Sequence, residues 1–376
     1  MTALLTILAD DLTGGCDTGT LFAGRSSVPL AIWPRTLSHG DVRVIDTESR
    51  ALDGGDSARR VLAAAIRTPA RHVFKKVDST LRGRIGPEIE ALMLATDASS
   101  ALLCPAFPAQ GRVVVDRVLL IDGTPVSATP IRLDPEFPPI PEGTRRAVPD
   151  VVELLRPQFE RPLAWLPLKV VRGGVEPLGE RLRRLSDTVV LADAETDGDL
   201  DALVAAALNA APGPLLVGSA GLARPFARRL GLLAERIPMP PARRWLIVAG
   251  SRHPVTRRQV AVAAAAGMSV LATPDTDGDD RLRAAKRLAE EARRVVESGG
   301  VDLVAVTGGE TAVALLEALG CERVDLVGAP RAGLALGHLV ASGYPSLPVL
   351  TKAGGFGPDD LFVSLARETS AQEAHV

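Results

Sequence analysis

The chain has 376 residues, 46% of them apolar, enough to fill two cores of ordinary domain size. Its 43 basic and 45 acidic residues leave a formal charge of -2, which argues against a partner held by bulk phosphate electrostatics, such as nucleic acid. Aromatic residues make up only 3%, too few for the stacking platforms of a single-strand binder.

Cys16, Cys104 and Cys321 are few, odd in number and widely spaced. Without a CxxC they suggest neither a disulfide framework nor a zinc site, and they fit a reducing cytoplasm. The first strand-like run starts within a few residues of Met1, and no stretch reaches bilayer-spanning length. Neither a leader nor a membrane partner is expected.

Strand-length apolar runs, LLTILA at 4–9, VPLAIW at 28–33, VRVID at 42–46 and HVFKKV at 72–77, alternate with helical segments. That rhythm predicts an α/β fold with mostly parallel sheets. SARRVLAAAIR at 57–67 puts Val61, Leu62, Ala65 and Ile66 on one helical face, and PEIEALMLA at 87–95 starts on Pro87, a favoured first helical residue. From 113 to 150 a β-like excursion leads into the proline-rich DPEFPPIPEG. An arm is expected there, covering a cleft or a neighbouring subunit, the latter admitting a homodimer.

The alternation resumes with TVVLAD at 188–193 and with PLLVG at 214–218, which runs into GSAGLA. Three prolines in ERIPMPPAR, 235–243, mark a boundary between domains at 1–234 and 244–368. Beyond it come WLIVAG at 245–250, a helix from about 255, DLVAVTGG at 302–309 and LPVLTKAGGFG at 347–357. A helix near 279–298 carries an apolar stripe of Leu282, Ala285, Leu288, Ala289, Ala292, Val295 and Val296, which marks it as scaffold. The tail beyond Arg367 is polar and expected to fray.

The candidate chemistry collects at strand ends. Asp10 and Asp11 follow the first strand and precede a helix, and adjacent carboxylates after an apolar run need solvent, a cation or several donors. KKVDSTLRGRIG at 75–86 crowds Lys75, Lys76, Asp78, Ser79, Thr80, Arg82 and Arg84 into one connection. An arginine fork holds a small carboxylate and aspartates accept from hydroxyls, a pairing suited to a polyhydroxy acid. The bland alternative is an Asp78–Arg82 surface ion pair. Arg112, closing CPAFPAQGR, is a further candidate, although prolines make that segment a rigid loop by default.

In the second domain, AGSRHPVT, VTGGETA and TKAGGFG are three strand-to-glycine turns. At the carboxyl ends of parallel strands such turns let backbone N–H groups approach phosphate, although one glycine pair alone needs no function beyond a tight connection. None matches GxGxxG with its downstream acid, and none matches GxxxxGK[ST]. Lys352 before the last turn is a candidate phosphate partner or a strand-end surface lysine. The histidines show no metal-ligand spacing, and no metal ligands are assigned.

ADDLTGGCDTG, KKVDSTLRGRIG, PAFPAQGR, VGSAGLA, the Ser251 and Thr256…Gln259 of AGSRHPVTRRQ, TGGETA and TKAGGFG occur in that order across nearly the whole chain. Together they resemble the four-carbon acid sugar kinases, which phosphorylate threonate, erythronate or 3-oxotetronate with ATP. The resemblance implies a substrate-binding N-terminal domain and a nucleotide-binding C-terminal one. It assigns nucleotide to Ser251, Gly308, Gly309, Glu310 and Thr311, and to Gly354, Gly355, Phe356 and Gly357. It assigns the sugar acid to Asp10, Asp11, Lys76, Asp78, Ser79 and Arg82. Departures at Cys16, Arg84 and Arg252-His253, where the family commonly has asparagine, asparagine and Cys-Ser, leave the identity of the acid open.

The expected reaction is in-line transfer of the γ-phosphoryl group to a terminal hydroxyl, with domain closure excluding water and Mg2+ bridging the phosphates. Asp10, Asp11 or Asp78 orients or deprotonates the hydroxyl, while Lys76, Arg82 or Arg112 fixes the acid or neutralises developing charge. Three rivals stay open: a non-catalytic sugar-acid sensor, a kinase for a different small hydroxy acid, and a nicotinamide-dependent dehydrogenase disfavoured by the missing fingerprint.

Overall fold

The computed structural model describes residues 2–37, 39–141, 148–273, 280–342 and 346–373. In chain order, β1 (Ala3–Ala9) feeds α1 (Leu12–Thr20), followed by β2 (Val28–Ile32), β3 (Val42–Asp46), α2 (Gly54–Arg67), β4 (Ala70–Lys76), α3 (Ile85–Thr96) and β5 (Ser100–Cys104). Next come β6 (Arg112–Val115), β7 (Val118–Ile121), β8 (Thr124–Pro125), α4 (Val151–Leu155), β9 (Leu163–Leu166), α5 (Leu168–Val171) and α6 (Val175–Arg183). β10 (Thr188–Ala192), α7 (Asp197–Asn209), β11 (Leu215–Gly218) and α8 (Ala220–Arg229) complete the N-terminal part. The rest holds β12 (Trp245–Ala249), α9 (Pro254–Ala265), β13 (Ser269–Ala272), α10 (Arg281–Glu297), β14 (Leu303–Thr307) and α11 (Gly309–Ala318). It closes with β15 (Cys321–Gly328), β16 (Leu334–Ala341), β17 (Leu347–Lys352) and α12 (Leu361–Glu373).

The chain forms two compact units, Met1–Thr18 with Thr36–Leu233, and Gly19–Arg35 with Ala234–Val376. Residues 19–35, expected in the first domain, belong to the second unit. β2 pairs antiparallel with β15, Leu30 opposite Val324, a partner some 300 positions away that no local apolar pattern reveals.

In the first unit the strand order is β3-β1-β4-β11-β5-β10-β9, and all the pairings are parallel. β3 and β5 are buried at every position, the pattern of strands covered on both faces. The second unit orders β13-β12-β14-β17 in parallel and adds β16, β15 and β2 antiparallel. Its core packs Trp245, Ile247, Leu303 and Leu350 against Phe362 and Leu365 of α12.

The excursion after residue 112 is a three-stranded antiparallel sheet of β6, β7 and β8. Asp116 and Arg117, at φ 49° and 69°, form the first tight hairpin turn, where consecutive positive φ values match the strand twist. The proline-rich arm is irregular as far as residue 141, and 142–147 lie outside the described residues.

Four helical expectations differ in detail. α2 buries Ser57, Val61 and Ala64, leaving Ile66 65% exposed, because its inward stripe is rotated toward the small residues that pack on α3. α3 starts two residues before Pro87, whose missing N–H is harmless anywhere in the first turn. α12 continues to Glu373 instead of fraying after Arg367, helped by Thr369, whose hydroxyl donates to Ala242 O at 2.9 Å. In α10, Ala284 joins the buried stripe and Leu282 is 59% exposed. Among the described residues, no helix is long and apolar enough to cross a membrane.

Candidate active site

In the first unit, register gathers one set of groups at the carboxyl edge of the sheet. Ala9 stands opposite Asp46 on one side and Lys76 on the other, and Lys76 stands opposite Gly218. Asp10 therefore leaves β1 between the ends of β3 and β4.

Asp10 is 2% exposed and is held by a residue the sequence reading passed over. Arg50, in the turn after β3, donates from Nε to Asp10 Oδ2 at 2.7 Å and from Nη2 to Asp10 Oδ1 at 2.9 Å, and Nη2 also reaches Asp11 Oδ1 at 2.5 Å. Burial works against ionising Asp10, but Arg50, Lys75 and Lys76 outweigh it and hold the carboxyl below its usual range. Asp11 caps α1, accepting from Gly14 N at 3.2 Å and from the Thr13 hydroxyl at 2.7 Å.

Adjacent lysines of β4 point to opposite faces. Lys75 is wholly buried against Glu88 of α3, Nζ to Oε2 at 2.7 Å, and is structural. Lys76 is 6% exposed and its ammonium donates to no acceptor among the described residues. A Cβ built on Gly14 would lie 2.6 Å from Lys76 Nζ and 2.5 Å from Asp11 Oδ1, so the bare glycine is what lets the ammonium approach α1.

Asp78 is bound bidentate by Arg82, Nε to Oδ2 and Nη2 to Oδ1 both at 3.0 Å, and also accepts from the Thr80 hydroxyl. The ion pair of the bland alternative thus exists, but Asp78 is buried rather than on the surface. Burial opposes its ionisation, yet Arg82 and Arg50 hold it well below the carboxylate range. The remaining Arg82 donor, Nη1, meets Asp134 Oδ2 at 3.4 Å, so the fork expected to take a free carboxylate is engaged by protein carboxylates.

The arm packs against this strand edge: Gly83 N donates to Glu136 O at 2.8 Å, and burial raises the Glu136 carboxyl beside Arg50, Arg82 and Asp10. Arg112 is half-buried, donates to Gln110 O at 2.5 Å and feels the charges of Asp78 and Arg82. Ser79 is half-buried with its hydroxyl unengaged among the described residues. Arg84 turns away, donating to Leu52 O at 2.9 Å, and Cys16 is buried.

Two further acids escaped the sequence reading. Burial pushes Asp17 of α1 up to about 6, with Lys76 pulling it down and Asp11 adding to the rise. Glu48, beside Asp46 in the turn that carries Arg50, is pushed by burial up to about 7. A polar run, DTESR, directly after an apolar strand was the available signal for that turn.

In the second unit, Thr307 stands opposite Ala249 and Lys352, so the three glycine turns leave one edge together. Gly250 N and Ser251 N both donate to Thr307 O, at 2.9 and 3.2 Å. A Cβ on Gly308 (φ +102°) would come within 3.0 Å of Ser251 N, one on Gly250 would overlap the Thr311 hydroxyl, and one on Gly354 would lie 2.7 Å from Ser251 Oγ. The turns are in mutual contact, with Gly309 opening α11 and Glu310 exposed in its first turn.

Gly355 faces the His253 ring, and Phe356 packs over Gly333. Lys352 is 1% exposed, neither a surface lysine nor open to a ligand, and donates to loop carbonyls. Among the described residues, no cluster of three or more His, Cys, Asp or Glu suited to a metal is found.

An α/β unit with a charged cluster at its strand edge is followed by a second α/β unit whose glycine turns meet at one strand edge, the two-unit architecture of this chain. The family described as Sugar-binding N-terminal domain matches residues 5–226, and Nucleotide-binding C-terminal domain matches residues 275–362. The D-threonate kinase of Salmonella typhimurium is 30% identical over 94% of this chain and 95% of its own length. The D-erythronate kinase of Heliobacterium modesticaldum is 28% identical over 94% of each. A solved protein of Salmonella typhimurium LT2 shares the fold with a TM-score of 0.76 at 21% identity, covering 97% of this chain and 99% of that one. The chain belongs to the four-carbon acid sugar kinase family.

Proposed function

We propose that the protein uses ATP to phosphorylate a terminal hydroxyl of a four-carbon sugar acid of the threonate, erythronate or 3-oxotetronate type. The observation that carries the proposal is the contact among the Ser251, Gly308 and Gly354 turns at one parallel-sheet edge, a cradle that a single Cβ would fill. Relatives named as D-threonate and D-erythronate kinases support the acceptor class.

In this reading Lys76 takes an anionic group of the acceptor, because its ammonium has no acceptor among the described residues and stands beside Gly14. Asp10 and Asp11, fixed by Arg50, accept from acceptor hydroxyls and hold the attacking oxygen in line. The new bond joins that oxygen to the γ-phosphorus as the bridging P–O bond to ADP breaks, and the hydroxyl proton leaves to a carboxylate. In a loose transition state, orientation matters more than strong basicity, which suits Asp10, held ionised by Arg50. Asp78 acts through Arg82, which with Arg112 offsets negative charge.

Glu310 is the one carboxylate on the three turns, and Mg2+ commonly binds through one or two carboxylates plus substrate phosphates, so the donor set fits a magnesium ion. It would neutralise phosphate charge there.

The test is a coupled ADP-release assay with purified protein against D-threonate, D-erythronate, 3-oxotetronate and five- and six-carbon acids. Turnover confined to four-carbon acids is expected. No ADP release above background with any of them removes the proposal.

A further inference from the structure

Lys352 ends β17 almost wholly buried, and no carboxylate pairs with it among the described residues. Its Nζ donates to Ala353 O at 2.8 Å, Gly354 O at 3.0 Å, Phe356 O at 3.3 Å and Thr256 Oγ1 at 3.4 Å. Two side chains of α9 grip the same turn. The Thr256 hydroxyl donates to Gly354 O at 2.6 Å, and Gln259 Nε2 reaches Phe356 O at 2.7 Å, Gly357 O at 3.1 Å and Pro358 O at 2.9 Å. Only Gly355 among residues 353–358 keeps its carbonyl out of this set. The N–H groups of Gly354, Gly355 and Gly357, in contrast, have no acceptor among the described residues.

We propose that Lys352, Thr256 and Gln259 form a buried side-chain staple that consumes the carbonyls of the Ala353–Pro358 turn and thereby leaves its glycine N–H groups for the phosphates of the nucleotide. Lys352 is on this account a positioning residue, acting through the backbone it binds. This inference rests on the nucleotide reading of the second unit and adds to it which residues organise the cradle. The physical basis is that a flexible glycine turn offers donors and acceptors equally, and an anion is repelled by carbonyl oxygens. Binding those oxygens internally selects the donor face before the nucleotide arrives, which lowers the ordering cost of binding. Burial lowers the Lys352 ammonium to about 8, so at neutral pH it keeps its charge and adds an uncompensated positive potential to the turn. Gln259 is decisive because it is wholly buried and bonds only turn carbonyls.

The experiment uses full-length protein with ADP and with adenosine as calorimetric probes, alongside kinetics with the acid found above. Gln259→Ala and Thr256→Val are expected to weaken ADP binding about tenfold each, leaving adenosine affinity and the KM of the acid unchanged. Lys352→Met is expected to do so more strongly, with Lys352→Arg recovering part of the loss. The Gln259→Ala/Lys352→Met double variant should lose less than the product of the single effects, because both act on one turn. Should Lys352→Met fail to fold, the two α9 variants carry the test.

Weak ADP binding in Lys352→Met with both α9 variants unaffected would mean direct phosphate contact and overturn the staple. Equal losses for adenosine and ADP would also overturn it, by exposing a general collapse of the unit. Failure of the unsubstituted protein to bind ADP would sink the nucleotide reading itself.

Discussion

Arg50 holds Asp10 across forty positions of sequence with a two-pronged ion pair, Nε to Oδ2 at 2.7 Å and Nη2 to Oδ1 at 2.9 Å. The same guanidinium reaches Asp11, so one cation in the turn after β3 fixes both acids of the turn after β1. The carboxylates that looked costly as bare sequence are compensated, and their orientation is set before any ligand arrives.

Removing that cation leaves two buried or half-buried carboxylates facing each other. Arg50→Ala is expected to cost about 3–5 kcal/mol of stability, the range for breaking a buried pair, read as a lowered urea midpoint. Arg50→Lys keeps a charge without the fork and should cost less. Asp10→Asn placed on Arg50→Ala should restore part of the loss. A urea midpoint for Arg50→Ala equal to the parent's contradicts the account.

The three aspartates are expected to separate by role. Asp10→Asn and Asp11→Asn, assayed at saturating substrates, should lower turnover about 10²–10⁴-fold if they hold the attacking hydroxyl. Asp78→Asn should act chiefly on the KM of the acid, since Asp78 acts through Arg82, whose guanidinium it binds bidentate. Unchanged turnover in all three variants removes the acceptor site from this edge.

The polar and glycine-rich clusters were legible because they lie at strand ends. Asp10, Lys76, Ser251 and Gly308 stand out as polar or glycine breaks after apolar runs, and parallel register brings them to one edge within each unit. What was not legible depends on pairing across long separations. Arg50 reads as one more polar turn residue until β3 is known to lie beside β1. β2 reads as an N-terminal strand until β15 is known to be its partner.

Thr256 and Gln259 could be seen as a motif, but their role in binding carbonyls follows only from helix α9 packing on the turn after β17. Lys352 misleads for the opposite reason, because a strand-end lysine usually escapes to solvent and this one is sealed in.

Gly14 offers a test that separates function from stability. Gly14→Ala acts in the first turn of α1, at the N–H that Asp11 caps, where alanine gains at most part of the about 1 kcal/mol it is worth over glycine in a helix interior. Its Cβ would nevertheless fall 2.6 Å from Lys76 Nζ and 2.5 Å from Asp11 Oδ1, which forces the ammonium or the carboxylate aside. The expected result is a near-parental melting temperature with a raised KM for the acid and an unchanged nucleotide KM. A Gly14→Ala enzyme with parental KM for both substrates argues that Lys76 does not meet the acceptor.

Opposite signs of pH dependence should be separable at this edge. Asp10 and Asp78 have folded values below the unfolded 3.8, so their contribution to stability is complete above that pH and is lost as pH falls through the folded values. Asp17 is raised from 3.8 to about 6, so the folded state holds its proton more tightly. Stability therefore declines as pH rises through the interval between those values, and the full penalty of ionising this half-buried carboxylate is present above it. Asp17→Asn removes that penalty, so its urea midpoint should exceed the parent's at pH 7.5 by more than at pH 4.5, two conditions about one unit or more outside the folded value. An equal difference at both pH values would show that Asp17 titrates normally and leave the decline to Glu48, raised to about 7, for which Glu48→Gln is the matching variant.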